Sequence, residues 1–428
     1  MSILRAMYAG VSGLTAEGGA LGVVGDNVAN TNTIGFKQSR AIFADVLGAA
    51  VGGKEAGAGV ALARKQQIFA QGALVNTGQA TDVALAGDGF LVVKGNVDGI
   101  DGQYYTRAGQ LTLRSDGALV TPGGLAVQGY ASDGKGGFSR AVGPIALPTT
   151  PIPPKSTTSL QISANLDASA TPPTDPWDPQ NPSATSNLST SMTVFDSLGN
   201  AHVVDVYFRS NGAGSWDYYA LARGDEIAGG TPGVNEEIAS GQLAFDANGA
   251  LVSHTPTGGG APSFVGAAPA QPLTFDFGTA IADGGTGLEG VTQFGSPSSV
   301  SAQSQDGYAS GSLSGVKIDG NGVVSGIYTN GKTIPVGQLA VAKFASNDGL
   351  ARAGQNLWTA TNESGEAALG AVGTGGRAAL VAGSLEQSNV DITAQFVQLI
   401  AHQRAFQANS KTVTTADQML QELMTIKQ

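Results

Sequence analysis

The sequence of 428 residues contains no cysteine and few charged side chains. Without cysteine, the chain has no disulfide, no thiolate ligand for a metal and no cysteine nucleophile. It can exist outside the cell without an oxidative folding step, although many cytosolic proteins also lack cysteine. Charged residues make up only 13% of the chain, against about 25% in typical globular proteins. Uncharged polar side chains are therefore expected to cover much of the surface.

Positive charge is scarce as well, because the formal net charge is −11 and no run of lysine or arginine occurs. A nucleic-acid partner needs a basic face to contact phosphates, so we predict none. No uncharged apolar stretch is long enough to span a membrane. Arg5 resembles the basic start of a secretory signal, but Glu17 and Asp26 interrupt the stretch that follows. We therefore expect export without a cleaved signal peptide.

Glycine, by contrast, is abundant at 63 residues, and the hydrophobic fraction of 41% predicts a folded chain with many tight turns. The length allows two to four domains. From about Ala80 the apolar residues alternate with the period of β-strands; Phe90–Val93 is predicted to be a buried run and Gln110–Arg114 a further strand. An antiparallel meander is predicted from three strands joined by short turns: Met192–Phe195, Val203–Phe208 and Trp216–Ala222. Asn248-Gly249 and Asn330-Gly331 predict hairpins. Residues 35–383 are expected to be β-rich, with an ordered proline-rich loop at 171–182 and an irregular segment at 258–290.

The two ends of the chain carry apolar residues at seven-residue intervals, which is typical of helices that wind around partner helices. In the N-terminal segment the spacing links one row and a flanking pair: Met7, Leu14, Leu21 and Val28, with Leu4 and Val11 beside them. In the C-terminal segment it links a second row and its neighbours: Ile392, Leu399, Phe406, Val413 and Leu420, with Phe396 and Met424. These are the candidate residues for helix packing in an assembly.

The first helix is expected to run from about Ile3 to Asn30. The last helix is expected to begin near Ser388, where Ser388 and Asp391 can form a capping box, and to reach the C-terminus. Each glycine in the first helix costs about 1 kcal/mol, so we expect that helix to order only against partner helices. Pairing of the chain's own two ends, and docking of the last helix on its own domain, remain alternatives.

Candidate chemical sites are weak. Gly285–Gly290 matches a glycine pattern for phosphate, but it neither follows a clear strand nor opens a helix. The segments that begin at Asp246 and Asp319 resemble fragments of calcium loops, yet hairpin turns are favoured there. The histidines lie far apart, without the spacing of metal ligands: His202, His254 and His402. His402 is interpreted as a residue on the polar face of the last helix. We predict no catalytic residue, no metal site and no cofactor.

The segment Asp26–Lys37, DNVANTNTIGFK, resembles the signature of the bacterial flagellar rod and hook proteins. The matching positions are Asn27, Asn30, Thr33, Gly35, Phe36 and Lys37. Asp26 stands where this family commonly has another asparagine. The segments Ser388–Leu423, Ala80–Val93 and Tyr105–Leu113 are similar to the same family. Because rod and hook members share these segments, they indicate the family and not the member.

The middle of the chain distinguishes between members. Asp175–His202 resembles the outer domain of hook-type members, which the shorter rod proteins lack, although Ala184 replaces the usual aromatic residue. The resemblance implies a structural subunit, not an enzyme, that polymerises into a curved hollow tube. That tube would act outside the cell as a universal joint, passing motor torque to the flagellar filament.

The implied fold is mainly β with terminal α-helices: a nested multi-domain axial protein with N- and C-terminal coiled-coil helices and two β-rich domains. Residues 1–72 and 384–428 would form the helical core with a connecting segment. Residues 73–147 and 304–383 would form an inner β domain, and residues 148–303 an inserted outer β domain. The implied partners are copies of itself, the distal rod, hook cap and hook–filament junction proteins, and the flagellar export apparatus.

Three alternatives remain at this point. A distal rod protein shares both ends of the chain but not the inserted outer domain. A secreted β-rich adhesin explains the glycine content and the missing cysteine but not the paired seven-residue patterns. A hydrolase would need a nucleophile and a base, and no motif in the sequence supplies them.

Overall fold

The computed structural model describes residues 2–51 and 54–426. The two α-helices in these ranges are α1 (Ser2–Ala29) and α2 (Ile392–Ile426). The first strands are β1 (Ser39–Val51), β2 (Lys54–Gln67), β3 (Leu74–Asn76), β4 (Val83–Ala86), β5 (Phe90–Val97), β6 (Ile100–Thr106), β7 (Thr112–Leu113), β8 (Leu119–Val120), β9 (Ala126–Ser132) and β10 (Phe138–Pro144). The next are β11 (Ser159–Asn165), β12 (Leu188–Phe195), β13 (Ala201–Gly212), β14 (Ser215–Arg223), β15 (Asn235–Phe245), β16 (Leu251–Gly259), β17 (Thr274–Asp276) and β18 (Ser299–Gln305). The last are β19 (Leu313–Ile318), β20 (Val323–Tyr328), β21 (Thr333–Lys343), β22 (Ala351–Gly354), β23 (Leu357–Thr359), β24 (Ala368–Ala371), β25 (Ala379–Ala382) and β26 (Ser384–Glu386).

The predicted fold class, mainly β with terminal helices, is confirmed. The chain forms two compact units. The first comprises Met1–Thr149, Ser314–Ile327 and Thr333–Gln428, and the second comprises Thr150–Leu313 and Tyr328–Lys332. The finer division into three domains stays a prediction. Within the described residues, neither helix is long and apolar enough to cross a membrane.

The start of α2 differs from the prediction. Asp391, and not Ser388, caps this helix, because its Oδ1 accepts hydrogen bonds from the backbone N–H groups of Thr393 (2.8 Å) and Ala394 (3.2 Å). Ser388 and Asn389 are held in the segment before the helix, where the backbone N–H of Asn389 donates to the carbonyl of Phe36. That tertiary contact keeps these residues out of the helix, so the capping box predicted at Ser388 is wrong.

In the first unit, β1 and β2 form a two-stranded antiparallel ribbon that the sequence did not reveal. The ribbon lies along α1, where the hydroxyl of Ser12 accepts a hydrogen bond from the backbone N–H of Val60 at 3.2 Å. Two-stranded ribbons are marginal by themselves in water. Its contact with α1 therefore supports the ribbon.

The large sheet of the first unit has the strand order β19-β20-β21-β9-β5-β6-β23-β22, with β7, β8, β10 and β24 attached at its sides. The predicted buried run Phe90–Val93 is the start of β5 and is fully buried. Aromatic and apolar side chains pack around it, including Tyr105, Phe344 and Trp358. Gln110–Arg114, predicted as a strand, is one only at Thr112 and Leu113.

The second unit contains a five-stranded antiparallel meander, β12 to β16, and a three-stranded sheet in the order β17-β11-β18. Their alternating apolar residues share one core around Phe208, Trp216 and Phe277. The predicted meander is thereby confirmed. The proline-rich loop at 171–182 is ordered as predicted, since the Trp177 ring stacks on Tyr219 with centroids 4.1 Å apart.

Tight turns form where calcium-loop fragments were considered. Oδ1 of Asp246 accepts the backbone N–H groups of Asn248 and Ala250, and Oδ1 of Asp319 accepts those of Asn321 and Val323. Each carboxylate thus closes a hairpin, β15–β16 in one case and β19–β20 in the other. The turns predicted at these two aspartates are confirmed.

Candidate assembly site in the terminal helices

The two terminal helices pack against each other in antiparallel fashion within one chain. Gly10 faces Val413, Gly13 faces Asn409 and Glu17 faces His402. A Cβ atom added to Gly10 would lie 2.8 Å from Cγ2 of Val413, and one added to Gly13 would lie 2.5 Å from Nδ2 of Asn409. These two glycines therefore let the helices approach more closely than any other residue would allow.

Small residues form the buried stripe of α1. Its buried members recur at helical spacing: Gly10, Gly13, Ala16, Ala20, Val23, Val24 and Asn27. Among the α2 side chains that the structure describes, Gln395 and Ala416 are buried. The seven-residue spacing of large apolar residues did not reveal this stripe. Small residues at intervals of three and four would have indicated it, because they mark a close approach of two backbones.

The predicted packing residues divide into two groups. Seven are partly buried at the border of the helix pair: Met7, Leu14, Leu21, Val28, Leu399, Val413 and Leu420. Six are exposed on the chain: Leu4, Val11, Ile392, Phe396, Phe406 and Met424. The exposed group has apolar neighbours that the spacing did not include: Tyr8, Val397, Ile400 and Met419. The pair of helices thus leaves large apolar side chains in contact with solvent.

A polar pair bridges the two helices halfway along their contact. Nδ1 of His402 lies 2.6 Å from Oε2 of Glu17, and both side chains are mostly buried. The ring of Phe43, on the ribbon, lies beside His402 with centroids 6.2 Å apart. His402 was interpreted from the sequence as a residue of the polar face. The structure instead places it between α1, α2 and the ribbon.

Asn27 of the family signature joins α1 to the ribbon and to α2. Its Oδ1 accepts the backbone N–H of Ser39 (2.8 Å), and its Nδ2 donates to the carbonyl of Ser39 (2.7 Å). Nδ2 also lies 3.1 Å from Oε1 of Gln395. Asn27 is 1% exposed, and a buried amide stabilises a structure only when its donors and acceptors are paired. This side chain meets that requirement with groups from two other segments, the ribbon and α2.

The turn after α1 uses the next residues of the signature. The hydroxyl of Thr33 donates to Oδ1 of Asn30, whose Nδ2 donates to the carbonyl of Asp26. Gly35 has a φ of +69°, and an added Cβ would lie 2.6 Å from the backbone nitrogen of Ala108. A left-handed conformation and this close approach both require glycine. Phe36 is buried behind the turn, and the guanidinium of Arg352 lies over its ring at 5.5 Å.

Lys37, the last signature residue, belongs to a buried ionic cluster. Its Nζ lies 2.6 Å from Oε1 of Glu386, and Nη1 of Arg107 lies 3.3 Å from Oε2 of the same carboxylate. The side chains of Lys37 and Glu386 are fully buried. Burial lowers the pKa of Lys37, and attraction to Glu386 opposes that shift. Since charges are costly to bury unpaired, the three side chains depend on one another.

Backbone groups complete this cluster. Nζ of Lys37 donates to the carbonyl of Ala70, and the backbone N–H of Gly72 donates to Oε1 of Glu386. The backbone N–H of Gly35 donates to the carbonyl of Glu386. Asn389 then links the ribbon to the start of α2, because its Oδ1 accepts the N–H of Gln38. We call the cluster of Asn27, Lys37, Arg107, Glu386 and Asn389 the buried junction.

The sequence indicated only part of the buried junction. Asn27 and Lys37 were found through their signature, but Arg107, Glu386 and Asn389 were not singled out. Glu386 and Asn389 contact residues that lie more than 250 positions away in the chain. No local pattern therefore links them to their partners. Mechanically, the arrangement ties α1, α2 and the ribbon to the first unit's sheets.

Four family models match the chain in order. They are "Flagella basal body rod protein" at residues 7–37, "Flagellar hook protein FlgE/F/G D1 domain" at 84–165, "Flagellar basal body protein FlaE D2 domain" at 165–308, and "Flagellar basal body rod FlgEFG protein C-terminal" at 381–426. The first and last of these matches cover most of α1 and all of α2, and they include the signature residues Asn27 and Lys37 of the buried junction. The third match covers most of the second unit.

Curated relatives match over nearly the whole chain. Flagellar hook protein FlgE of Escherichia coli is 36% identical over 97% of this chain and 98% of the relative. Flagellar hook protein FlgE of Treponema pallidum is 35% identical over 99% of this chain and 100% of the relative. Among solved structures, Helicobacter pylori flagellar hook protein FlgE2 has a similar fold, with a TM-score of 0.51 and 16% identity over 72% of this chain and 98% of that chain.

Proposed function

The chain belongs to the bacterial flagellar hook protein family, and on that basis we propose that the apolar residues exposed on α1 and α2 are the surface through which its copies pack. It is a structural subunit of the flagellar hook, the curved hollow tube that passes motor torque to the filament. Its location is the flagellum, and it polymerises with itself.

The observation that carries the proposal is the set of large apolar side chains left exposed on two helices. Phe396 is 50% exposed, Val397 64% and Met424 76%. Burying one such side chain contributes about 1.5–3 kcal/mol, and large exposed apolar patches mark interaction sites. Because the subunit polymerises, helices of neighbouring copies are the natural cover for this surface. The partly buried residues Leu14 and Leu21 would lie at the border of the same contact.

We also propose a role for the buried junction, which is to transmit force between the helices and the sheets. A fully buried ionic cluster with several backbone bonds has one well-defined arrangement, since any displacement leaves a charge unpaired. A torque applied at the helices would reach the sheets through Asn27, Lys37 and Glu386 without local unfolding. The residues of the family signature would thus serve rigidity, while the exposed apolar residues serve assembly.

Contacts with other flagellar proteins are also proposed. Distal rod, hook cap and hook–filament junction proteins would meet the same helical surfaces at the ends of the polymer, and the export apparatus would handle the subunit before assembly. We assign the subunit a mechanical role without catalysis. The rod alternative shares the terminal helices, but the match at residues 165–308 favours the hook.

Electron microscopy of polymerised protein tests the assembly surface. Phe406→Asp places a charge on the exposed apolar row, where burial of an unpaired carboxylate costs several kcal/mol. We expect this variant to form no tubes while its β units unfold at the same urea concentration as those of the wild type. Gln407→Asp is the matched control, because it adds the same charge at an exposed polar position of α2.

The control is expected to form normal tubes. Leu14→Asp, on α1, should behave like Phe406→Asp. If Phe406→Asp formed tubes as readily as Gln407→Asp, the exposed apolar residues would not be the packing surface, and the proposal would be wrong.

A further inference from the structure

His202, in the second unit, is enclosed by two carboxylates, one at each ring nitrogen. Its Nε2 lies 3.2 Å from Oδ2 of Asp196, and its Nδ1 lies 2.8 Å from Oε2 of Glu226. The imidazole is 9% exposed and the Asp196 side chain is fully buried. One face of the ring stacks on Phe264, with centroids 4.1 Å apart and planes within 15°. The described contacts of His202 thus join separate segments of the chain.

Each partner of the ring comes from a different element. Asp196 opens the turn between β12 and β13, Glu226 ends a 3₁₀ turn (Gly224–Glu226) after β14, and Phe264 lies in the loop after β16. Among the described residues, Asp196 and Glu226 are the titratable groups in contact with the ring. The nearby pair Arg223 and Asp225 is exposed and self-paired at 3.2 Å.

The protonation state of the ring decides whether both contacts are favourable. A neutral imidazole carries one N–H group, whereas an ionised carboxylate can only accept hydrogen bonds. Both contacts are therefore satisfied only by the imidazolium form. In the neutral form, one nitrogen lone pair faces a carboxylate oxygen, which is repulsive.

Asp196 is held in its ionised form by other bonds. Burial alone would raise its pKa, but hydrogen bonds from Asn200, His202 and the backbone N–H of Leu198 outweigh burial and lower the pKa. Oδ1 accepts the backbone N–H groups of Leu198 and Asn200, and Oδ2 accepts Nδ2 of Asn200. The carboxylate is thus held as an acceptor by the N–H groups of its own turn together with the histidine.

We propose that His202, Asp196 and Glu226 form a pH-sensitive latch in the second unit. The protonated ring joins the β12–β13 turn to the 3₁₀ turn after β14. When the pH rises and the ring loses its proton, one of the two bonds is lost and the segments separate more often. The backbone bond from Val265 to the carbonyl of Glu226, 2.9 Å long, belongs to the region that opens. This inference does not depend on the assembly surface.

Hydrogen–deuterium exchange of the full chain at pH 6 and pH 8, corrected for the intrinsic rate of exchange, tests the latch. The amides of Leu198, Asn200 and Val265 report its opening. We expect their protection to fall about tenfold or more at the higher pH, the effect of losing one charge-assisted hydrogen bond. In His202→Gln, protection should be equal at the two pH values. His254→Gln, which changes another histidine of the same unit, should keep the wild-type difference.

Nitrogen-15 spectra of the imidazole rings provide a measurement that needs no folded His202 variant. Loss of one proton from the His202 ring should accompany the fall in protection. In Glu226→Gln, the pH dependence of protection should shrink, because one charged partner is gone. Unchanged protection across the titration of the ring would overturn the proposal. So would a pH difference in His202→Gln as large as in the wild type.

Discussion

At the scale of single residues, the carboxylate of Glu386 is the group with which two buried cations are paired. It neutralises one of two buried cations and binds the backbone of Gly72. Removing it would leave Lys37 and Arg107 buried with no opposite charge in contact. Burial already lowers the pKa of Lys37, with the charge of Arg107 acting in the same direction. The folded state tolerates both cations because Glu386 lies between them.

Glu386→Gln is therefore expected to destabilise the first unit by about 3–5 kcal/mol, the cost of breaking a buried ion pair by removing one partner. The measurement is urea unfolding of the free subunit, followed by fluorescence of Trp358. Glu366→Gln is the matched control, because Glu366 is exposed in the same unit, and it should change stability by less than about 0.5 kcal/mol. Equal midpoints for the two variants would contradict the role given to Glu386.

At the scale of elements, the helix α1 shows two uses of glycine. Gly10 lies against Val413 of α2, so a side chain there would push the helices apart. Gly18 has no atom within 4 Å of the position of a Cβ and is exposed. The first glycine permits contact, whereas the second only weakens the helix, by about 1 kcal/mol. The close contact with α2 outweighs the low helix propensity that glycine gives to α1. The expectation that α1 orders only on partner helices stays a prediction.

The comparison of Gly10→Leu with Gly18→Leu separates these uses, because both variants introduce the same side chain into the same helix. In the free subunit, Gly18→Leu should raise the helix content and its thermal midpoint. Gly10→Leu should lower the midpoint, since leucine cannot fit against the stiff, β-branched Val413. Far-UV circular dichroism gives both values. Equal gains in the two variants would mean that α1 and α2 do not pair in the free subunit.

At the scale of the whole molecule, the larger segment of the second unit, Thr150–Leu313, is an insertion whose two ends run side by side. The backbone N–H of Ile152 donates to the carbonyl of Gly311 at 2.9 Å, and Lys155 and Tyr308 exchange two backbone bonds of 2.9 Å each. Because the two ends of the insertion lie side by side, a short linker can join them without displacing the rest of the chain. The large sheet and the helix pair draw their core residues from outside this insertion.

Replacing residues 153–310 with a short glycine–serine linker should therefore leave the first unit folded. The free energy of unfolding of the first unit should stay within about 0.5 kcal/mol of its value in the full chain, as expected for independent domains. We also expect secretion to continue and the curvature or stability of the hook to change, which electron microscopy of isolated hooks would show. Loss of the cooperative unfolding transition of the first unit would show that the insertion is needed for its folding.

The sequence by itself determined the elements whose signal is local. Seven-residue spacing predicted both helices, and strand patterns joined by short turns predicted the meander. A continuous apolar run predicted the buried strand at Phe90–Val93, and Asn248-Gly249 predicted a hairpin. Each pattern depends on neighbours in the chain, which any single sequence displays. The family signature likewise indicated the assembly role, because its residues are contiguous. The bounds of α2 were less well predicted, since a tertiary contact of Asn389 competes with its first turn.

Only the tertiary structure decided which residues meet. Glu386 pairs with Lys37 and Arg107, and Asn27 pairs with Gln395. The helix α1 contacts α2 through glycines, one of which lies against the predicted packing residue Val413. These contacts join positions hundreds of residues apart, and no local pattern records them. The close contact of the two helices also explains why apolar rows are exposed beside it. Because glycines lie in the contact between α1 and α2, the large side chains beside it remain available to neighbouring copies.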